Sequence, residues 1–246
     1  MTLEFLHFSQ SVFEKERRQA DDQIMPMLCK TDDVFEKLQI TGAAQEWLKQ
    51  QQWKRTIAFL LYGDLLTKER LTKRILEIGG GLSCTTLALA QSYNYALIER
   101  ATHEAPQHYQ RLEEFLGKPF VTIADWIDCE NHEIRDIIIA NDVFPNVDQR
   151  LYEFVEKYLP LTHELRLSVT YYENTAYEVE RLPSHERLIV KPWGLKEVSH
   201  FMRFLAEKYP EFCSHYPESE LVYEDYCGTL FSNRRNIICL RMSRDE

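Results

Sequence analysis

The 246-residue chain has no surplus of positive charge: 29 Lys and Arg stand against 39 Asp and Glu, for a formal net charge of −10. Phosphate backbones and anionic membranes are held by clustered cations, so neither a nucleic acid nor a membrane surface is the expected partner, although a local basic patch stays open. Long apolar runs are missing too. None approaches the roughly 20 residues that span a bilayer, and Met1-Thr2-Leu3-Glu4 has neither the basic nor the apolar region of a secretion signal. Six cysteines (Cys29, Cys84, Cys129, Cys213, Cys227, Cys239) lie far apart with no C-x-x-C pair, which argues for free thiols in a reducing, cytoplasmic compartment. The histidines form no i,i+4 pair and no cluster at zinc spacing, so no metal is expected. Repeats and low-complexity linkers are absent. What is present is ordinary globular material, 44% hydrophobic and 28% charged. Its 13 Tyr, 13 Phe and 4 Trp suit either a pocketed enzyme or a well-filled core.

Residues 1–70 read as a helical cover. Phe5, Phe8, Val12 and Phe13 recur at helical spacing, a second candidate follows Asp32-Asp33, and residues 41–47 and 56–66 supply two more. Pro26 and Gly42 punctuate them. Over residues 71–246 the pattern changes to alternating strands and helices. Strand candidates cover 74–78, 95–98, 120–123, 136–140 and 165–171; helix candidates cover 84–91, 105–116 (closed by Gly117), 148–158 and 195–209. Residues 221–226 and 236–242 read as a closing antiparallel pair, with Arg234-Arg235 read as a hairpin turn in preference to an anion site. The connector carrying Glu178, Glu180, Arg181, Glu186 and Arg187 reads as a solvated face. Such alternation with short connections implies an α/β fold, its mainly parallel sheet covered on both faces.

In open α/β sheets, ligands bind beyond the carboxyl ends of the strands, where strand order reverses. The first strand ends in Glu77-Ile78-Gly79-Gly80-Gly81, whose glycines let the backbone turn sharply and approach a ligand. Alone, such a turn is equally a structural device. Glu99 ends the second strand, and an acid about 20 positions beyond a glycine loop can accept from both ribose hydroxyls. Asp125-Trp126 end the third: a carboxylate suited to an adenine amine, beside an indole that either covers the ring or packs in the core. Three successive strand ends each suit one part of an adenosine ligand.

On the residues Leu76-Glu77-Ile78-Gly79-Gly80-Gly81, Ile98-Glu99, Ala124-Asp125-Trp126 and Asp136-Ile137-Ile138-Ile139-Ala140-Asn141-Asp142, the stretch 73–172 resembles the Rossmann-like class of S-adenosylmethionine-dependent methyltransferases. The resemblance implies a seven-stranded, mainly parallel Rossmann-like sheet with a reversed final strand and a helical N-terminal lid. It implies S-adenosylmethionine as co-substrate, with Glu77 and Gly79, Gly80 and Gly81 at the methionine moiety, Glu99 on the ribose and Asp125-Trp126 at the adenine. A nicotinamide site is disfavoured, because its G-x-G-x-x-G spacing meets Cys84. The run Asn141-Asp142-Val143-Phe144-Pro145-Asn146 loosely resembles the Asn-Pro-Pro-Tyr loop of amino-directed methyltransferases, without its paired prolines. That likeness implies Asn141 and Asp142 as acceptors from a target amine and Phe144 as its aromatic cover, with Asp142 available as a base. The same residues can also simply close a turn. Tyr171-Tyr172 end the fifth strand; successive side chains face opposite ways, so one of the two is expected in the pocket.

The leading expectation is methyl transfer to a small molecule, an amine among the candidates. The 141–148 run, the tyrosine pair and the helical cover also resemble azetidine-2-carboxylate synthases, in which the amine of S-adenosylmethionine attacks its own γ-carbon and expels 5′-methylthioadenosine. A non-catalytic cofactor-binding protein is a third reading, since one fold hosts many functions.

Overall fold

The computed structural model describes residues 2–67, 72–130, 133–172, 177–181, 186–190, 193–210, 230–231 and 234–244. In chain order its elements are β1 (Thr2–His7), α1 (Gln10–Leu38), α2 (Ala43–Gln50), α3 (Gln52–Leu66), β2 (Arg74–Ile78), α4 (Cys84–Ser92), β3 (Asn94–Glu99), α5 (Pro106–Leu116) and β4 (Val121–Ile123). There follow β5 (Arg135–Phe144), α6 (Leu151–Tyr158), β6 (Thr162–Tyr172), β7 (Tyr177–Arg181), β8 (Glu186–Val190), α7 (Leu195–Lys208) and β9 (Arg235–Ser243).

The centre of the sheet comes from runs that have no polar face to offer. Ile137, Ile138, Ile139 and Ala140 of β5, and Ile75, Leu76 and Ile78 of β2, are at most 2% exposed. Such strands are stable only with both faces covered. The seven strands stand in the order β1-β9-β6-β5-β2-β3-β4. β2, β3, β4, β5 and β6 run parallel, and β9 is reversed against both β6 and β1. This is the α/β, Rossmann-like, mainly parallel sheet with a reversed last strand. The chain lays down β2, steps outward to β3 and β4, then returns to the other side of β2 as β5. That reversal puts a crevice at the carboxyl ends of β2 and β5.

The cover is more firmly joined to the sheet than its helical periodicity suggests. Residues 2–7, expected within the helical cover, form an edge strand paired with β9. Leu3 and Phe5 alternate toward one core cluster, and sheet pairing overrides the local helical spacing. Helix α1 passes through Pro26 without a break, the proline lying on its exposed face. Phe8, Ile24, Leu28 and Leu61 share one apolar core with Ile75, Leu97, Ile137 and Ile237 of the sheet. One further expectation changes, since β5 continues through Phe144 instead of ending at residue 140. The charged connector carries the antiparallel hairpin β7–β8. The candidate strand at 221–226 lies outside the described residues. Among the described residues no helix is long and apolar enough to cross a membrane.

Candidate active site at the strand reversal

The glycine turn is shaped by steric need. Gly79 and Gly81 hold φ of 68° and 63°, a region that side chains avoid. Gly80 is constrained from below: a Cβ there would lie 2.2 Å from Glu77 Oε1. Glu77 is 1% exposed and accepts from the hydroxyls of Tyr62 and Tyr95, each at 2.6 Å. Burial pushes its carboxyl above the ordinary range, against the pull of the two tyrosines. Glu77 thus lies under the loop as its footing while still lining the cavity.

Beyond the turn, the start of α4 is already occupied by protein. The Cys84 amide donates to Gln45 Oε1 at 2.9 Å, and Ser83 caps the helix through Thr86 N at 3.5 Å. A helix start of this kind, left open, is what receives a diphosphate. Gln45 also ties α2 to the turn, its own amide donating to Leu82 O at 3.1 Å. A Cβ on Gly42 would meet Leu82 O at 2.4 Å, so the cover sits directly on the turn.

Glu99 ends β3 only 8% exposed, its two oxygens accepting from Gly81 N at 3.1 Å and Ala101 N at 3.2 Å. The Arg100 amide also bonds it, so of a carboxylate's about four lone-pair sites about one remains for a ligand. Burial, and next the nearby Glu104, push its carboxyl upward. Glu104 was not singled out in the sequence. It accepts from Ala43 N at 2.9 Å and Tyr109 Oη at 3.1 Å, and joins Glu77 and Glu99 along the cavity. Nothing in its sequence context marks it; only the fold brings it to the start of α2.

At the β4 end, Trp126 lines the cavity and donates from Nε1 to Asp148 at 2.8 Å. Asp125, expected at the adenine, does not line it. Its two oxygens are taken by Arg150 at 3.0 and 2.9 Å, and Asp148 occupies the wall instead. Arg150 also stands 4.8 Å over the Trp126 ring. Phe144 is likewise displaced from its expected place: it is 1% exposed and packs against Phe154 at 4.6 Å and Trp126 at 5.8 Å, behind the cavity wall.

The displacement originates in a bulge. Ala140 pairs with Leu167 and Phe144 with Val169, so β5 spends four residue steps where β6 spends two. The extra residues turn Asn141 and Asp142 into the cavity, with Asp142 at a φ of 58°. Asn141 Oδ1 accepts from Ser168 Oγ at 2.8 Å, and its amide also bonds the Tyr62 hydroxyl. Asp142 meets Lys54 Nζ at 2.9 Å and the Arg235 guanidinium. Burial works to raise its carboxyl, but Arg235 and Lys54 together hold it down to about 2. Tyr172 lines the cavity and Tyr171 does not, as strand alternation requires.

Nothing in the sequence marks Lys54, and Arg235 is expected there only as part of a hairpin turn. Arg234 does adopt a turn conformation, with φ at 59°, but Arg235 opens β9 and reaches Asp142. The resulting cavity holds about 480 Å³ and extends from Trp126 and Asp148, past the glycine turn, to Tyr172, Arg235 and Ile237. That size falls within the ordinary range for small-molecule sites. Among the described residues, no group of three or more His, Cys, Asp or Glu is placed to hold a metal.

No protein-family model matches the chain, and no curated protein matches it. Several solved structures are similar. The plantazolicin methyltransferase BpumL, in complex with a monoazolic desmethylPZN analog and SAH, has 12% identity and a TM-score of 0.47, over 95% of this chain and 100% of that one. The cyclopropane synthase MmaA2 from Mycobacterium tuberculosis has 13% identity and a TM-score of 0.46, over 79% and 86%. Coclaurine N-methyltransferase bound to N-methylheliamine and SAH has 13% identity and a TM-score of 0.43, over 78% and 71%. Likenesses this distant bear on no individual residue of the cavity.

Proposed function

We propose that the protein binds S-adenosylmethionine in this cavity and catalyses methyl transfer to a small molecule. The observation that carries the reading is the acidic character of the turn: Glu77, Glu99 and Glu104 are all buried around it, while the start of α4 is closed by Gln45 and Ser83. Three carboxylates repel a diphosphate and suit a cationic ligand rich in hydroxyl donors. Glu99 would receive a ribose hydroxyl with its remaining lone-pair site. Trp126, held by Asp148 at Nε1 and by Arg150 over its ring, would border the adenine, and the turn from Gly79 to Gly81 would face the amino-acid portion. S-adenosylmethionine supplies an electrophilic methyl group on a sulfonium, so the protein's task is chiefly positioning.

The residues around the bulge would place the acceptor. Asn141 is fixed by Ser168 and Tyr62, and Tyr172 closes the wall beside it. Asp142 is a poor candidate for a general base, because a carboxyl held at about 2 takes up almost no proton near neutrality. A protonated amine would also have to approach Lys54 and Arg235. We therefore favour an acceptor other than an ammonium. The test is incubation with S-adenosylmethionine alone and with small-molecule extracts. S-adenosylhomocysteine formed only when extract is present is the expected result. Methylthioadenosine released without extract would overturn methyl transfer in favour of cyclisation.

A further inference from the structure

The carboxylates at the β4 end of the cavity are already engaged. Asp148, which lines the wall there, accepts four hydrogen bonds, about all that two carboxylate oxygens offer. Its Oδ1 takes the Arg150 amide and Arg150 Nε, each at 2.9 Å, and its Oδ2 takes Trp126 Nε1 at 2.8 Å and Arg150 Nη2 at 2.6 Å. Burial works to raise this carboxyl, but Arg150 and then Trp126 hold it below the ordinary range, so near neutrality it has no proton to donate either. Asp125 stands outside the cavity lining, with Arg150 on both oxygens and the Ile127 amide on one of them at 3.2 Å. The nearby backbone is engaged as well. Trp126 O accepts from Lys157 Nζ and Tyr158 Oη, both at 3.0 Å, and Asp125 O accepts from Asp128 N at 3.1 Å and Cys129 Sγ at 3.5 Å. A carbonyl has two lone pairs, so both of these are filled. The side chains of Ile98, Ala124, Trp126 and Val147 line the same end, and they hold a flat ring by contact whatever it carries at its edge.

Resting on the S-adenosylmethionine reading above, we propose that Arg150 sets the specificity at the base: by filling Asp148 and Asp125 it leaves the exocyclic amine unread, so the site selects its nucleoside by purine ring, ribose and amino acid. The ligands it takes therefore include nucleoside sulfoniums and thioethers whose purine lacks the 6-amino group. A carboxylate that read the amine would make a charge-assisted hydrogen bond, and losing such a bond weakens binding about ten- to a hundredfold. An amine that meets no acceptor contributes nothing, and where it is buried its removal strengthens binding.

The experiment compares S-adenosylhomocysteine with its purine analogue, in which hydrogen replaces the 6-amino group, by calorimetric titration of the full chain. On the unmodified protein the analogue should bind within about threefold of S-adenosylhomocysteine, or more tightly. Arg150→Met removes two of the four donors on Asp148 and opens those lone pairs to the cavity. That variant should prefer S-adenosylhomocysteine over the analogue by about tenfold, and a gain of discrimination cannot come from misfolding. A larger than threefold loss for the analogue on the unmodified protein would overturn the proposal, because an acceptor would then be reading the amine. So would an Arg150→Met protein that binds both ligands without distinguishing them. Should Arg150→Met fail to fold, the comparison on the unmodified protein decides alone. The two readings fail in different ways: S-adenosylhomocysteine that does not bind at all strikes the cofactor reading and this proposal with it, whereas S-adenosylhomocysteine bound and the analogue rejected strikes this proposal only.

Discussion

Replacing Glu99 by Gln should separate ligand binding from folding at this site. The carboxylate accepts from the Gly81, Ala101 and Arg100 amides, leaving about one lone-pair site for a ligand hydroxyl. Glutamine keeps the shape but offers one acceptor oxygen, and its NH2 must face one of those backbone donors. One charge-assisted hydrogen bond is lost and a second is weakened. At about 1.5–3 kcal/mol for a bond to a charged group, the expected loss is about 2–3 kcal/mol, or roughly 30- to 150-fold in Kd. Stability should change less than affinity, since relief of a charge that burial and Glu104 disfavour is offset by the backbone N–H left facing the new NH2. Calorimetric titration with S-adenosylhomocysteine, beside thermal unfolding of the unliganded protein, reads both quantities. Unchanged affinity in a folded Glu99→Gln protein would refute the ribose assignment.

Gly80→Ala should destabilise by about 1–3 kcal/mol in urea unfolding, because its Cβ meets a carboxylate that two tyrosines prevent from moving. Pro26→Ala should stabilise α1 by about 1–2 kcal/mol: it restores an interior helix hydrogen bond, less the entropy that proline removes from the unfolded chain. The pH dependence has two opposed parts. Glu77 and Glu99 have raised folded values, so stability rises as pH falls from neutrality through those values toward the ordinary 4.5, and Glu99→Gln should diminish that rise in pH-dependent melting. Asp142, depressed to about 2, contributes stability above the ordinary 3.8 that is lost as pH falls through 2, a loss that Asp142→Asn should remove.

Features that rest on local backbone demand or on continuous burial are legible in the amino-acid order alone. The apolar runs of β2 and β5 could only be strands covered on both faces, and Gly117 closes α5 in the left-handed conformation expected of it. The glycines after Ile78 and the acid at the end of β3 follow from the same logic, because the turn and the strand end impose their needs on a few adjacent residues. Tertiary structure decided what depends on pairing between distant segments. Residues 2–7 become a strand because β9 offers an open edge, and Asp125 yields its place to Asp148 because Arg150 reaches both carboxylates. Lys54 and Arg235 lie 88 and 93 residues from Asp142 in sequence, and only the bulge in β5 turns that carboxylate to meet them. Charge complementarity at such range leaves no periodic or spacing signal in a single chain, so the meeting of Lys54, Asp142 and Arg235 became legible only once the fold had brought the three together.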